Sequence, residues 1–149
     1  MTALTDSELR RDFDLPEDDL EALNARGLQW EALTTHENGA RAHWVLFHEY
    51  PIHPGYVDRA APGTAVASAL VAVRVTGYPG GALDMVYVHP PLARADGHQL
   101  RNLSDLAIAG RTFQQWSRHY TSANPFRVGV DSLATHLLLV DEWFSREFR

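Results

Sequence analysis

Two proline corners bracket one strand, and they constrain this chain more than any other feature. The segment Tyr78-Pro79-Gly80-Gly81-Ala82-Leu83-Asp84-Met85-Val86-Tyr87-Val88-His89-Pro90-Pro91 opens on a Tyr-Pro and closes on a Tyr-x-His-Pro. Proline fixes its own φ and biases its predecessor towards extended backbone. The apolar run Leu83 to Val88 between the corners therefore reads as a strand with a hard start and a hard stop. The chain contains no cysteine.

The surrounding pattern is that of one domain. A chain of 149 residues, 45% hydrophobic with four tryptophans, can bury one substantial core. Residues 1–13 read as a polar lead-in and 14–149 as a single domain. Pro16, followed by acidic residues, opens a helix over 16–26, with Gly27 as its stop. Trp30 to Thr35 is a strand, Glu37-Asn38-Gly39 a turn, and Arg41 to Tyr50 a second strand. In that second strand Trp44, Leu46 and His48 alternate with His43, Val45 and Phe47. Both faces are apolar, which predicts a central strand. Prolines 51, 54 and 62 make 51–63 a stiff connection. Ala65 to Val75 is the third strand and Leu83 to Val88 the fourth. Residues 90–110 read as a long irregular stretch, and the pattern of Gly110 to His119 assigns no element. Asp131 is the expected N-cap of a last helix in which Leu133, Leu137, Val140, Phe144 and Phe148 form the core stripe.

The Tyr78-Pro79 to His89-Pro90 segment resembles the passage before the active site of ubiquitin-conjugating (E2) proteins. The passage from His43-Trp44 through Pro51 to Pro54-Gly55-Tyr56 is also similar. The tail Asn124-Pro125-Phe126-Arg127-x-Gly129-x-Asp131-x-Leu133-x-Thr135-His136-Leu137, with Gly110 to His119, looks most like the prokaryotic E2 family E. The resemblance implies an α+β, UBC-like (E2) fold. Its parts would be an N-terminal helix, a four-stranded antiparallel β-meander, a long active-site-like loop and a C-terminal helix. It also implies a bacterial gene set with a ubiquitin-like modifier, often in multi-ubiquitin form, an E1-like adenylating enzyme and a JAB-type peptidase. The motif positions carried over are Tyr78, Pro79, Tyr87, His89, Pro90, Pro91 and Leu100.

The chemistry departs from that family. There the His-Pro is followed by asparagine and, after a Gly-containing loop, by the catalytic cysteine; here Pro91 and Leu100 stand at those places. A thioester relay needs a thiolate, whereas a serine such as Ser104 or Ser117 needs a dedicated base. Pro91 has neither an amide side chain nor an N–H to stabilise an oxyanion. The expected role is an adaptor or binding component of a ubiquitin-like pathway, without thioester activity. The alternative is a divergent transferase or hydrolase using Asp96, His98 and His119, should they converge. Arg111, Trp116 and Arg118 are candidate partner contacts, because tryptophan and arginine dominate interface hot spots; packing under the loop is the competing reading for Trp116.

Composition narrows the partners. A net charge of −6 argues against nucleic acid. No apolar run approaches the ~20 residues of a bilayer span, and Met1 to Arg11 has no secretory h-region, so a cytoplasmic protein with no membrane partner is expected. The eight histidines lack metal-binding spacing, and no cofactor is expected. All thirteen basic residues are arginine. Codon bias accounts for that, and so does the advantage of carrying no ε-amine beside an isopeptide-forming machine.

Overall fold

The computed structural model describes residues 8–149, so residues 1–7 of the expected lead-in lie outside the described residues. Among the described residues, two helices and nine strands make an α+β fold. They are α1 (Glu17–Ala25), β1 (Gln29–Glu37), β2 (Ala40–Pro51), β3 (Tyr56–Asp58), β4 (Ala61–Ala65), β5 (Ser68–Arg74), β6 (Val86–His89), β7 (Leu92–Arg94), β8 (Leu103–Ile108), β9 (Arg111–Trp116) and α2 (Leu133–Arg146). A six-stranded antiparallel sheet runs β1-β2-β5-β6-β9-β8, and a three-stranded sheet runs β4-β3-β7.

The four expected strands correspond to β1, β2, β5 and β6, paired in meander order. The fourth starts at Val86 and not at Leu83, because Met85 turns with a positive φ of 60°, and Ala65, expected in the third, closes β4. Asn38 (φ 54°) and Gly39 (φ 72°) make the β1–β2 turn in left-handed conformations that suit these two residue types. The meander does not stop at four. The stretch expected to be irregular, 90–110, holds β7 and β8, and the unassigned segment after it is β9, which pairs with β6. The stiff 51–63 connection likewise contains β3 and most of β4. Ala109 (φ 50°) and Gly110 (φ 83°) turn β8 into β9, and the Ala109 N–H donates to Glu37 Oε1 at 2.8 Å. That bond ties the tip of the β8–β9 hairpin to the end of β1, beside the β1–β2 turn.

The alternation within β2 sorts residues into two apolar clusters. Val45 and Phe47 join Val71, Val73, Val86, Val88 and Trp116 beneath α2, with Leu133, Leu137, Val140 and Phe144 inserted from the helix. Trp44 and Leu46 join Leu33, Ala72, Tyr87, Ile108 and Phe113 on the opposite face. Phe148 packs partly buried against the principal core. Trp143 and Phe144, adjacent on α2, are both buried. They divide the work, Trp143 meeting Tyr120 and His136 while Phe144 meets Tyr56 and Trp116.

The cap of α2 is Ser132 rather than Asp131: its side chain accepts from Thr135 N, and Thr135 answers with a bond from the Ser132 N–H. Asp131, one residue earlier, accepts from Arg127 N at 2.8 Å and Thr135 Oγ1 at 3.2 Å. It stabilises the approach to the helix.

Candidate functional site

The Tyr78-Pro79 and His89-Pro90 peptide bonds are both cis, and the two corners serve different surroundings. Tyr78 turns inward. Its hydroxyl donates to Asp19 Oδ2 at 2.5 Å and accepts from Leu133 N at 2.9 Å, joining the starts of α1 and α2. Burial, with the Asp19 carboxylate beside it, pushes the Tyr78 phenol pKa up. Asp19 is itself buried, and its Oδ1 has no hydrogen-bond partner. Tyr87 lies in the second cluster, edge-on to Trp44 at 4.9 Å. His89 donates from Nδ1 to the Thr112 carbonyl at 2.8 Å. That bond fastens β6 to β9.

Beyond the second corner the chain borders a cleft of ≈ 390 Å³ between β7 and β8. The Pro91 carbonyl accepts from Arg59 N at 2.9 Å. Arg59 reaches across the cleft to Asp105 with two bonds of 2.9 Å. This guanidinium holds the Asp105 carboxyl below its usual range. At the other wall Arg94 forks onto Asp96, and its remaining nitrogen donates to the Glu147 carbonyl. The Arg94 bond, helped by the His98 N–H donating to Asp96 Oδ1 at 3.0 Å, lowers the Asp96 pKa. Asp96 and His98 are thus brought together, but through a backbone bond that shapes the loop. Leu100 lines the cleft half-buried, its other side against the principal core. An aliphatic side chain occupies the wall of the cleft there.

The floor is Gln114, a buried polar residue that the sequence pattern did not single out. Its Oε1 accepts from Leu92 N and Trp116 Nε1, both at 2.9 Å, and its Nε2 donates to the Leu92 carbonyl at 3.0 Å. One amide thereby imitates a strand partner for β7 and joins the two sheets. Arg59, Arg94 and Asp105 were missed as well. Only the fold brings residues 59, 92–105 and 114 to one cleft, so no local spacing signals them.

The remaining candidates scatter. His119 meets Asp84, with Nδ1 2.5 Å from Oδ2, and makes no contact with Asp96 or His98; the three do not form one constellation. Trp116 is wholly buried in the principal core, so packing, and not surface contact, describes it. Arg118 lies 5.0 Å over the Trp116 ring and bonds Arg101 O at 3.0 Å and Glu147 Oε1 at 3.2 Å. It binds the 101–102 stretch to the end of α2. Arg111 is exposed and lines a second hollow of ≈ 290 Å³ with His48, Glu49, Ser68, Ala69, Leu70, His89 and Pro90. Ser104 lines the first cleft, and among the described residues its hydroxyl meets no histidine or carboxylate base. Among the described residues no three histidine, aspartate or glutamate side chains converge as a metal site, and no helix is long and apolar enough to cross a membrane.

A two-helix α+β domain with a curled antiparallel sheet, and E2-type proline corners around β6, defines an E2-like protein. The model of the prokaryotic E2 family E matches residues 15–147, and the chain belongs to that family. Its cysteine is missing. No curated protein and no solved structure matches the chain at a significant level.

Proposed function

We propose that this chain is a UBC-like adaptor, a cytoplasmic binding component of a bacterial ubiquitin-like modification pathway that performs no thioester transfer. One observation carries the reading: an E2 family matches nearly the whole chain, and that chain has no thiol. Without a thiolate the family's acyl relay has no nucleophile, so what remains of the E2 role is recognition. Leu100 in the cleft wall and Pro91 at the second corner support it, since each replaces a catalytic group by one without that chemistry. The partners proposed are the ubiquitin-like modifier, its E1-like adenylating enzyme and the JAB-type peptidase. The alternative, a non-thiol transferase or hydrolase using Asp96, His98 and His119, has Asp96 and His98 adjacent at the cleft and His119 apart with Asp84.

The test presents the immobilised protein to the modifier and to the E1 in turn. Retention of one of them, with no adduct after ATP is added, is the expected result. Retention of neither sinks the adaptor reading. A hydroxylamine-sensitive, thiol-resistant adduct on a serine would replace it with the enzymatic one. Leu100→Cys should introduce a thiol that iodoacetamide alkylates, without restoring transfer, because Pro91 still cannot do what the asparagine does.

A further inference from the structure

Residues 95–102 run from β7 to β8 without helix or strand, and Gly97, His98, Gln99 and Leu100 form one wall of the 390 Å³ cleft. The loop has little hold of its own. Residues 95–99 are exposed, and Leu100 is the first to reach the principal core, half-buried. Its internal bonds are local: Gly97 N donates to Arg94 O at 3.2 Å and His98 N to Asp96 Oδ1 at 3.0 Å.

The charged anchors of this loop come from the end of α2. Two arginines hold its two ends, and both turn to Glu147. Arg94, at the start, forks onto Asp96 and donates its remaining nitrogen to the Glu147 carbonyl. Arg118 donates to the Arg101 carbonyl at 3.0 Å, at the far end, and to the Glu147 carboxylate at 3.2 Å. The Arg118–Glu147 side chains are only 17% and 25% open, so this pair trades less readily with solvent than Arg59–Asp105, at 48% and 47%. Phe148 closes over the same place. Its ring stacks on His53 at 4.9 Å, meets Tyr56 edge-on at 5.0 Å and lies 4.5 Å from the Arg94 guanidinium. Gly55 O accepts from Ala95 N at 2.8 Å, and a Cβ on Gly55 would meet the Phe148 ring at 2.7 Å. The backbone that holds the first loop residue is also the surface on which that ring lies.

We propose that Glu147 and Phe148 form a clasp on the cleft loop, so that residues 95–101 and the last turn of α2 open as one unit and opening widens the cleft. Shared anchors carry the argument. When Glu147 leaves its place, Arg94 loses a carbonyl and Arg118 a carboxylate, and both ends of the loop lose a charged anchor at once. A segment with so little buried apolar surface opens at a lower free energy than the core. Val140 and Phe144, earlier on α2, are fully buried, so the movement is confined to the end of the helix. The device does not depend on the adaptor reading.

The experiment follows amide exchange residue by residue on the wild-type protein, in urea below the unfolding transition. Ala95, His98 and Phe148 should share one opening free energy, lower than that of Val71 and Val88 in the sheet. Glu147→Ala and Phe148→Ala should each speed exchange at Ala95 and His98 by about tenfold or more, with Val71 and Val88 unchanged. Because the chain has no cysteine, Leu100→Cys is a unique reporter of the cleft wall. Adding Glu147→Ala to it should speed alkylation by iodoacetamide by about tenfold or more. Arg146→Ala, which cuts an exposed pair with Glu142 on the same turn, should change neither rate. The proposal is overturned if the loop and Phe148 open at different free energies, or if either opens only with the whole molecule. Loop exchange and alkylation left at their starting rates by the clasp variants would overturn it too. The wild-type measurement decides even where a variant fails to fold. Neither modifier nor E1 enters the test, so its failure is separate from failure of the adaptor reading.

Discussion

The side of the sheet beneath α2 and the cleft between β7 and β8 use hydrogen bonds in opposite ways. Beneath α2 the polar groups are chiefly tyrosine hydroxyls and one imidazole on buried or half-buried side chains, although Asp141, which takes the Tyr50 hydroxyl, is 40% open. Tyr50 Oη donates to Asp141 at 2.6 Å and Tyr56 Oη to the Phe144 carbonyl at 2.5 Å. His136 takes the Tyr120 hydroxyl on Nδ1 at 2.8 Å and donates from Nε2 to the Met85 carbonyl at 2.9 Å. Above the buried Gln114 floor, the polar groups at the rim of the cleft are arginine–aspartate pairs with an exposed carboxylate, Asp105 47% and Asp96 44% open. A buried bond is costly to break, because its survivor loses water as well as its partner. An exposed ion pair trades readily with solvent. The first region holds the fold, and the second can be re-partnered without unfolding it.

The comparison breaks most sharply at Leu137, fully buried under α2. Leu137→Ala should cost about 2–5 kcal/mol in urea unfolding; a loss within error would mean the face is soft. Next comes Tyr78→Phe, which leaves Asp19 buried with neither oxygen bonded and Leu133 N without its acceptor. It should cost about 1–3 kcal/mol, and Asp19→Leu in the same chain should recover part of that. An unrecovered loss would mean that ring packing, and not the carboxylate, set the cost.

His136 gives a pH signature. Burial lowers its pKa from the ordinary 6.5, so below that value the unfolded chain binds the proton first. Stability is therefore complete above about pH 6.5 and falls as pH drops towards the folded value, with a slope of up to about 1.4 kcal/mol per pH unit. Thermal melts between pH 5 and 7 should show the slope, and His136→Gln should flatten it. The smallest effect belongs to the cleft. Asp105→Asn should change stability by about 0–1 kcal/mol; a larger loss would erase the distinction between the two regions.

Legibility followed the same division. The α2 stripe, the alternation of β2 and the Asn38-Gly39 turn were readable because each is a local pattern with one solution. β8 was not, because an exposed edge leaves no apolar period: of its six residues only Ile108 is buried. β9 hid because Gln114 is a polar residue at a buried position, its amide satisfied by Leu92 and Trp116, far and near in sequence. Trp116 looked like a surface hot spot because composition cannot say which side of a strand is covered.

By itself the sequence determined the two helices, the four strands of the meander, the proline corners, and the want of any thiol for acyl transfer. These follow from backbone restriction, periodicity and functional-group chemistry, none of which needs a neighbour distant in sequence. Only the tertiary structure decided that Tyr78 bonds Asp19, that Gln114 joins two sheets, and that Arg59 closes on Asp105 across a cleft. Each of those contacts spans 22 residues or more. Their geometry is set by how a curled sheet stacks its strands, and a local pattern carries no record of that.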